Sequence, residues 1–153
     1  MPPAGLGALD AAPRLAVGVV DGSGVLYDSN GIDQLNEAIN LIKTDPFSRR
    51  ILVTAWNPSV LNEIPLPSCH YCYQFYVNED KLSILVNMRS CDIFLGLPFN
   101  IASTALLVHL IAKTTDLNVG SIHICIGDAH IYKNHISQVK TQLKRTPYTF
   151  PKI

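Results

Sequence analysis

Two extended runs separated by a polar turn constrain this chain more than any other feature. Residues 71–77 are strongly aromatic and residues 82–88 are mostly aliphatic. Asn78-Glu79-Asp80-Lys81 between them has turn chemistry, so the pair predicts a β-hairpin. Other elements must pack around it. Residues 32–43 read as a helix, with Ile32, Leu35, Ile39 and Ile42 on the helical repeat and Asp45-Pro46 as its stop. Residues 51–56 read as a buried strand that ends at Asn57-Pro58. Residues 100–115 read as a helix, apolar nearly all round and therefore central. Residues 121–126 read as a further strand, and 130–145 as an amphipathic helix with Lys144-Arg145 at its favourable C-terminal end. Pro147 and Pro151 bracket an extended tail. The sum is one α+β domain with a mainly antiparallel or mixed sheet and a long central helix.

Residues 1–30 differ in composition from the rest of the chain. The first 24 residues are dominated by Ala, Gly, Pro, Val and Leu, and Asp28-Ser29-Asn30-Gly31 reads as a turn. This predicts a domain boundary there. Two readings stand side by side: a flexible leader with one short strand at 15–20, or a segment foreign to the domain 31–153.

Composition narrows the function. The chain has 153 residues, 48% of them hydrophobic, enough for one core. Twelve basic and twelve acidic residues give a formal charge of +0, which argues against binding DNA or other long nucleic acid. Mean hydropathy is +0.20, an excess that an oligomer interface or uncovered apolar faces would account for. No uninterrupted apolar run approaches the roughly 20 residues of a membrane span. The longest apolar region, 101–112, is interrupted by Ser103, Thr104 and His109. With no secretory signal evident, the four cysteines read as reduced thiols in a cytoplasmic protein.

Cys69-His70-Tyr71-Cys72 is the first chemical constellation. A zinc site would need two further ligands, but Cys91 and Cys125 are isolated, so no metal is expected. A redox pair belongs at a helix start, whereas this one precedes a strand. A single nucleophile, Cys69, would be presented where Pro65-Leu66-Pro67-Ser68 meets the strand. On the residues alone, nucleophile, redox pair and buried structural cysteine stay open. Arg49-Arg50 and Arg89-Ser90 could cradle a phosphate or form a solvated patch. Asn100 follows Leu95-Gly96-Leu97-Pro98-Phe99 and suits either a helix cap or a buried amide that reads a base edge. In Gly127-Asp128-Ala129-His130-Ile131-Tyr132, Asp128 suits a helix N-cap, and His130 and Tyr132 could face a ligand.

Taken in order, these pieces resemble one family. Asp45-Pro46-Phe47-Ser48-Arg49-Arg50, Ala55-Trp56-Asn57-Pro58, Leu66-Pro67-Ser68-Cys69-His70 and Gln74-Phe75-Tyr76-Val77 look like successive thymidylate synthase motifs. Arg89-Ser90-Cys91-Asp92, the run Phe94 through Ser103, and Gly127 through Tyr132 continue the series. The resemblance covers about residues 31–153. It implies the thymidylate synthase α/β fold and a homodimer with its sheets back to back. It makes Cys69 the nucleophile that adds to C6 of dUMP, so that C5 can attack the one-carbon unit of 5,10-methylenetetrahydrofolate. It assigns Arg89 and Ser90 to the phosphate, Asn100 to the pyrimidine edge, and His130 and Tyr132 to the deoxyribose hydroxyl. Arg49 and Arg50 would complete the partner's site. Asp92, Gly96 and Phe99 would contact the folate, with His70 and Gln74 in support. An arginine-lined site favours a thiolate, which fits a nucleophilic cysteine.

The resemblance has gaps. The family's upstream arginine loop, catalytic glutamate and folate-side tryptophans have no counterpart before Gly31, and a C-terminal closing segment is missing. The resemblance therefore implies a partial domain that turns over little, or a non-catalytic remnant that dimerises. Asn87-Met88 stands where the family usually has Tyr-Gln. A dUMP or dCMP hydroxymethylase is the alternative chemistry. Asn100 argues for uracil, because cytosine-specific relatives tend to carry aspartate there.

Overall fold

The computed structural model describes residues 33–58, 61–62 and 65–151. The boundary expected at residues 28–31 and the short strand at 15–20 lie outside the described residues. Helix α1 spans Gln34–Thr44 and strand β1 spans Leu52–Thr54. Strands β2 (His70–Asn78) and β3 (Lys81–Asp92) follow, then helix α2 (Gly96–Thr114) and strand β4 (Asn118–His130). A 3-10 turn at Lys133–His135 leads into the short helix α3, Ile136–Gln142.

The expected hairpin is the centre of the sheet. β2 and β3 pair antiparallel from His70↔Met88 to Asn78↔Lys81, with Glu79 at positive φ in the two-residue turn. The sheet order is β1-β2-β3-β4. β1 is antiparallel to β2, and β4 is parallel to β3, so the α+β reading with a mixed sheet holds. The parallel pair requires a crossover, and α2 supplies it.

One face of the sheet makes the core. Phe75, Val77, Leu82, Ile84, Val86 and Met88 are buried there with Val108, Ile111 and Ala112 of α2 and Ala38 and Ile42 of α1. Asp33 caps α1 by accepting from Asn36 N at 3.0 Å. The Gln34 amide then acts as a surrogate strand for edge strand β1. It donates to Thr54 O at 3.0 Å and accepts from Thr54 N at 2.8 Å.

Three elements differ from the sequence reading. β1 is only three residues long and alternates: Ile51 and Val53 are buried while Leu52 is 42% exposed. As an edge strand it buries a single face. α2 starts at Gly96, and only Asn100, Thr104, Val108, Ile111 and Ala112 are buried along it. Its other side presents Phe99, Ile101, Leu106 and Leu110 as exposed residues, so among the described residues it is covered on one side and not enclosed. By length and composition α2 could cross a membrane, but its inner side packs on the sheet. Lastly, β4 runs through Gly127-Asp128-Ala129 to His130, because β3 offers a continuous ladder to Ser90↔Asp128 and Asp92↔His130. The helix expected at 130–145 shrinks to α3, which buries none of its residues.

Candidate active site

The cysteine loop is held by an arginine two strands away in sequence. Arg89 Nε donates to Ser68 O at 3.1 Å and Nη2 donates to Pro67 O at 2.5 Å. The same Nη2 lies 3.9 Å from Cys69 Sγ. Arg89 N also donates to Cys69 O at 2.9 Å. Ser68 is 1% exposed, so its carbonyl is out of water and needs such a partner. The planar guanidinium reaches the Ser68 carbonyl from Nε and the Pro67 carbonyl and the sulfur from Nη2, whereas an ammonium has all its donors on one nitrogen. A register shift between His70 and Cys72 breaks the β2–β3 ladder where the loop enters. Bulges commonly re-aim a side chain in this way.

A second thiol adjoins the first. Cys91 is buried, and Asn100 Nδ2 lies 3.9 Å from its sulfur. Burial pushes the Cys91 thiol up, the Asn100 hydrogen bond opposes this, and the nearby Asp92 and Cys69 add to the rise. Burial also pushes the Cys72 thiol up, against a hydrogen bond from Asn87. Both are therefore poorer thiolate sources than a solvent-exposed thiol. Asn100 is 5% exposed in the second turn of α2 and is not a cap. The helix start is instead organised by Asp92, whose Oδ1 accepts from Phe94 N at 3.0 Å and Leu95 N at 3.2 Å. A Cβ on Gly96 would sit 3.7 Å from both Asn100 Nδ2 and Asp92 Cβ. Gly96 thus packs between these two side chains.

The parallel β3–β4 register brings the last group alongside. Ser90 pairs with Asp128 and Asp92 with His130, and Ile93 N donates to His130 O at 2.9 Å. His130 Nδ1 is 3.0 Å from Asp128 Oδ2, and the Tyr132 ring stands edge-on to the imidazole at 5.2 Å. Asp128 is in a strand and is not a helix N-cap. Tyr132 is 54% exposed and Phe99 67% exposed. Cys69, Arg89, Ser90, Asp92, Gly96, Asn100, His130 and Tyr132 thus cluster at one end of the sheet.

Other expected residues fall elsewhere. His70 is buried and stacks on Tyr73 at 6.3 Å. Gln74 pairs with Leu52 and Leu85 on the other sheet face, roughly 16 Å along β2 from Cys69. Arg49 and Arg50 are exposed before β1, near Phe75, whose N–H donates to Ile51 O. An extended chain from Phe75 back to Cys69 covers roughly 20 Å, beyond reach of either side chain. Two residues that touch this cluster, Cys91 against Asn100 and Asp128 against His130, do not stand out as site residues in the sequence. For Asp128 a signal exists: Asp-x-His on a strand places both side chains on one face. Among the described residues, no three His, Cys, Asp or Glu side chains come together.

Among the described residues, the sheet face opposite the core is open. Leu52, Gln74, Leu85 and His123 lie in one cross-strand row, with Cys72, Asn87 and Cys125 in the next. Tyr76 on this face is 63% exposed. A cleft of about 640 Å³ opens between Trp56, Tyr71, Asn87, Arg89 and Cys125. Arg89 therefore borders both the cysteine loop and this cleft.

The family model described as Thymidylate synthase matches residues 11–153, starting ahead of the turn at residue 31. A thymidylate synthase of Mycoplasma pneumoniae is 55% identical over 126 residues, which is 82% of this chain and 44% of the relative. One of Listeria monocytogenes is 57% identical over 122 residues, 80% of this chain and 39% of the relative. A bifunctional dihydrofolate reductase-thymidylate synthase of Leishmania major is 53% identical over 127 residues, 82% of this chain and 24% of the relative. The chain spans about two fifths of the length of the bacterial relatives it matches.

Proposed function

The chain belongs to the thymidylate synthase family, and on that footing we propose that it serves the reductive methylation of dUMP to dTMP, with Cys69 as nucleophile and 5,10-methylenetetrahydrofolate as co-substrate. The observation that carries this is Arg89, which grips Pro67 and Ser68 and brings Nη2 to 3.9 Å from Cys69 Sγ. A thiolate at Cys69 adds to C6 of the pyrimidine. The S–C6 bond forms, and the C5–C6 π electrons shift onto C5 and the C4 oxygen. C5 is then a carbon nucleophile. Arg89 holds the sulfur's loop in place and offers positive charge where the thiolate must form. With Ser90 it also offers donors for the nucleotide phosphate.

Asn100 presents an acceptor and a donor to the uracil N3–H and O4. His130 and Tyr132 take the sugar hydroxyl. The folate side fits Asp92, Gly96 and Phe99. Asp92 commits Oδ1 to the turn, which leaves Oδ2 as an acceptor for a pterin N–H, and exposed Phe99 offers a ring face. When bound, the reduced folate supplies the one-carbon unit and the hydride. His70 holds the loop's strand from the core, and Gln74 belongs to the sheet face.

Arg49 and Arg50 stand too far from their own Cys69 to share its phosphate, so they act in the site of a second copy. The open sheet face with Leu52, Tyr76 and Leu85 is the surface for that homodimer. The four free cysteines suit a reducing, cytoplasmic setting. Calorimetric titration with dUMP and dCMP tests the reading. Asn100 should favour dUMP by on the order of tenfold or more, since the wrong base leaves a buried amide mismatched. Equal affinity for both, or no binding of either by the folded chain, overturns the assignment.

A further inference from the structure

We propose that Asp128 is a positioning residue that fixes His130 as its Nδ1-protonated tautomer, so that Nε2 accepts a hydrogen bond from a ligand hydroxyl. As applied to the 3′-hydroxyl of dUMP, this rests on the function proposed above. The pairing follows from the strand. Residues at i and i+2 share a face, so Asp128 and His130 of β4 stand side by side. Their side chains meet at 3.0 Å, Oδ2 to Nδ1. An ionised carboxylate only accepts, so the proton between them belongs to Nδ1. In the neutral ring Nε2 is then a bare acceptor. His130 is held in two further ways. The backbone carbonyl of His130 accepts from Ile93 N at 2.9 Å, which anchors the residue, and the Tyr132 ring stands against the imidazole at 85°.

The chemical consequence is selectivity. A bare Nε2 welcomes an O–H donor and repels groups that only accept, such as a phosphate or ether oxygen. Asp128 itself is 70% exposed and His130 31% exposed. Asp128 therefore acts through the imidazole's tautomer and not through burial. Without it the ring is free to take the Nε2-protonated form, which turns the acceptor into a donor: the hydroxyl bond then runs the other way, and groups that only accept are no longer repelled.

The test reads the tautomer directly. Long-range proton–nitrogen correlation spectra of the ¹⁵N-histidine chain at alkaline pH distinguish the two neutral forms, with His130→Gln to assign the signal. The expected result is a pyrrole-like Nδ1 and a pyridine-like Nε2 at His130, redistributed toward the opposite form in Asp128→Ala. Asp128→Asn, whose amide oxygen can still accept, should restore part of the native form. A wild-type His130 protonated at Nε2 overturns the proposal, as does a tautomer unchanged in Asp128→Ala. The functional arm compares dUMP with its 3′-O-methyl ether, whose 3′ oxygen only accepts. Wild type should prefer dUMP by about tenfold, and Asp128→Ala should narrow the ratio several-fold, because Nε2–H can donate to the ether oxygen. A preference undiminished in Asp128→Ala contradicts the role. If wild type binds neither nucleotide, the dUMP reading fails, while the tautomer still stands or falls by the spectra.

Discussion

Arg89→Ala is expected to slow covalent capture of a pyrimidine nucleotide at Cys69 by roughly 10²-fold or more, the scale seen when a preorganised charged donor is removed. It should also unfold earlier. The variant leaves the carbonyls of Pro67 and Ser68 without their donors in a loop where Ser68 is fully buried. Hydrogen bonds to a charged group contribute about 1.5–3 kcal/mol each, and the loss is largest where an acceptor is stranded. A cost of about 2–4 kcal/mol corresponds to a fall in Tm of about 5–15 °C for a chain of this size. Arg89→Lys separates the two roles. It keeps the positive charge, but a single ammonium cannot span Ser68 O, Pro67 O and the sulfur. Lysine should therefore regain part of the stability while the reaction stays slow. An Arg89→Ala protein that reacts at the wild-type rate would remove Arg89 from the mechanism.

Ile84→Ala should be the most destabilising single change in the sheet. Ile84 is 1% exposed, pairs with Phe75 on one side and Ile122 on the other, and so sits at the middle of the four strands. Deleting three buried carbons and leaving a cavity costs about 2–5 kcal/mol. That is a large share of a typical stability of about 5–15 kcal/mol. Leu110→Ala on α2 is the contrast, since Leu110 is 59% exposed. It should change stability by no more than about 0.5 kcal/mol. Thermal and urea unfolding followed by circular dichroism would rank the two. If Leu110→Ala proved the more damaging, the core would lie on the wrong side of α2.

The hairpin is legible in the sequence because its alternation and turn chemistry agree. Tyr73, Phe75 and Val77 face the core while Gln74 and Tyr76 do not, and the loop between the strands is two polar residues. β4 is legible only as far as its apolar residues run. Gly127, Asp128 and Ala129 are poor strand formers, and it is the neighbouring strand β3 that holds them extended. The same tertiary override moves His130 from a helix to a strand end. α2 misleads for a different reason. A helix apolar nearly all round has little periodicity to show which side is covered, so composition could not reveal that Leu106 and Leu110 face outward.

The site is legible as a set of residue types, not as an arrangement. Sequence order groups Arg49, Arg50 and Arg89 as one cradle, but strand register puts the first two at the far end of β2. Arg89 looks like a phosphate ligand alone, and its grip on the Pro67 and Ser68 carbonyls has no sequence signature. Asn100 leaves two readings open, cap or buried amide. The Asp92 turn decides between them by starting the helix at Gly96.

The central claim is that Cys69 is the nucleophile of a combined dUMP and folate site. It is tested most directly by incubating the chain with 5-fluoro-dUMP and 5,10-methylenetetrahydrofolate and measuring its intact mass. Fluorine at C5 cannot leave as a proton does, so the reaction stops at a stoichiometric adduct and the readout does not depend on turnover. The account predicts a mass increase equal to nucleotide plus folate, absent in Cys69→Ala and sharply slowed in Arg89→Ala. A folded chain that gains no mass, or one whose adduct persists in Cys69→Ala, would contradict it.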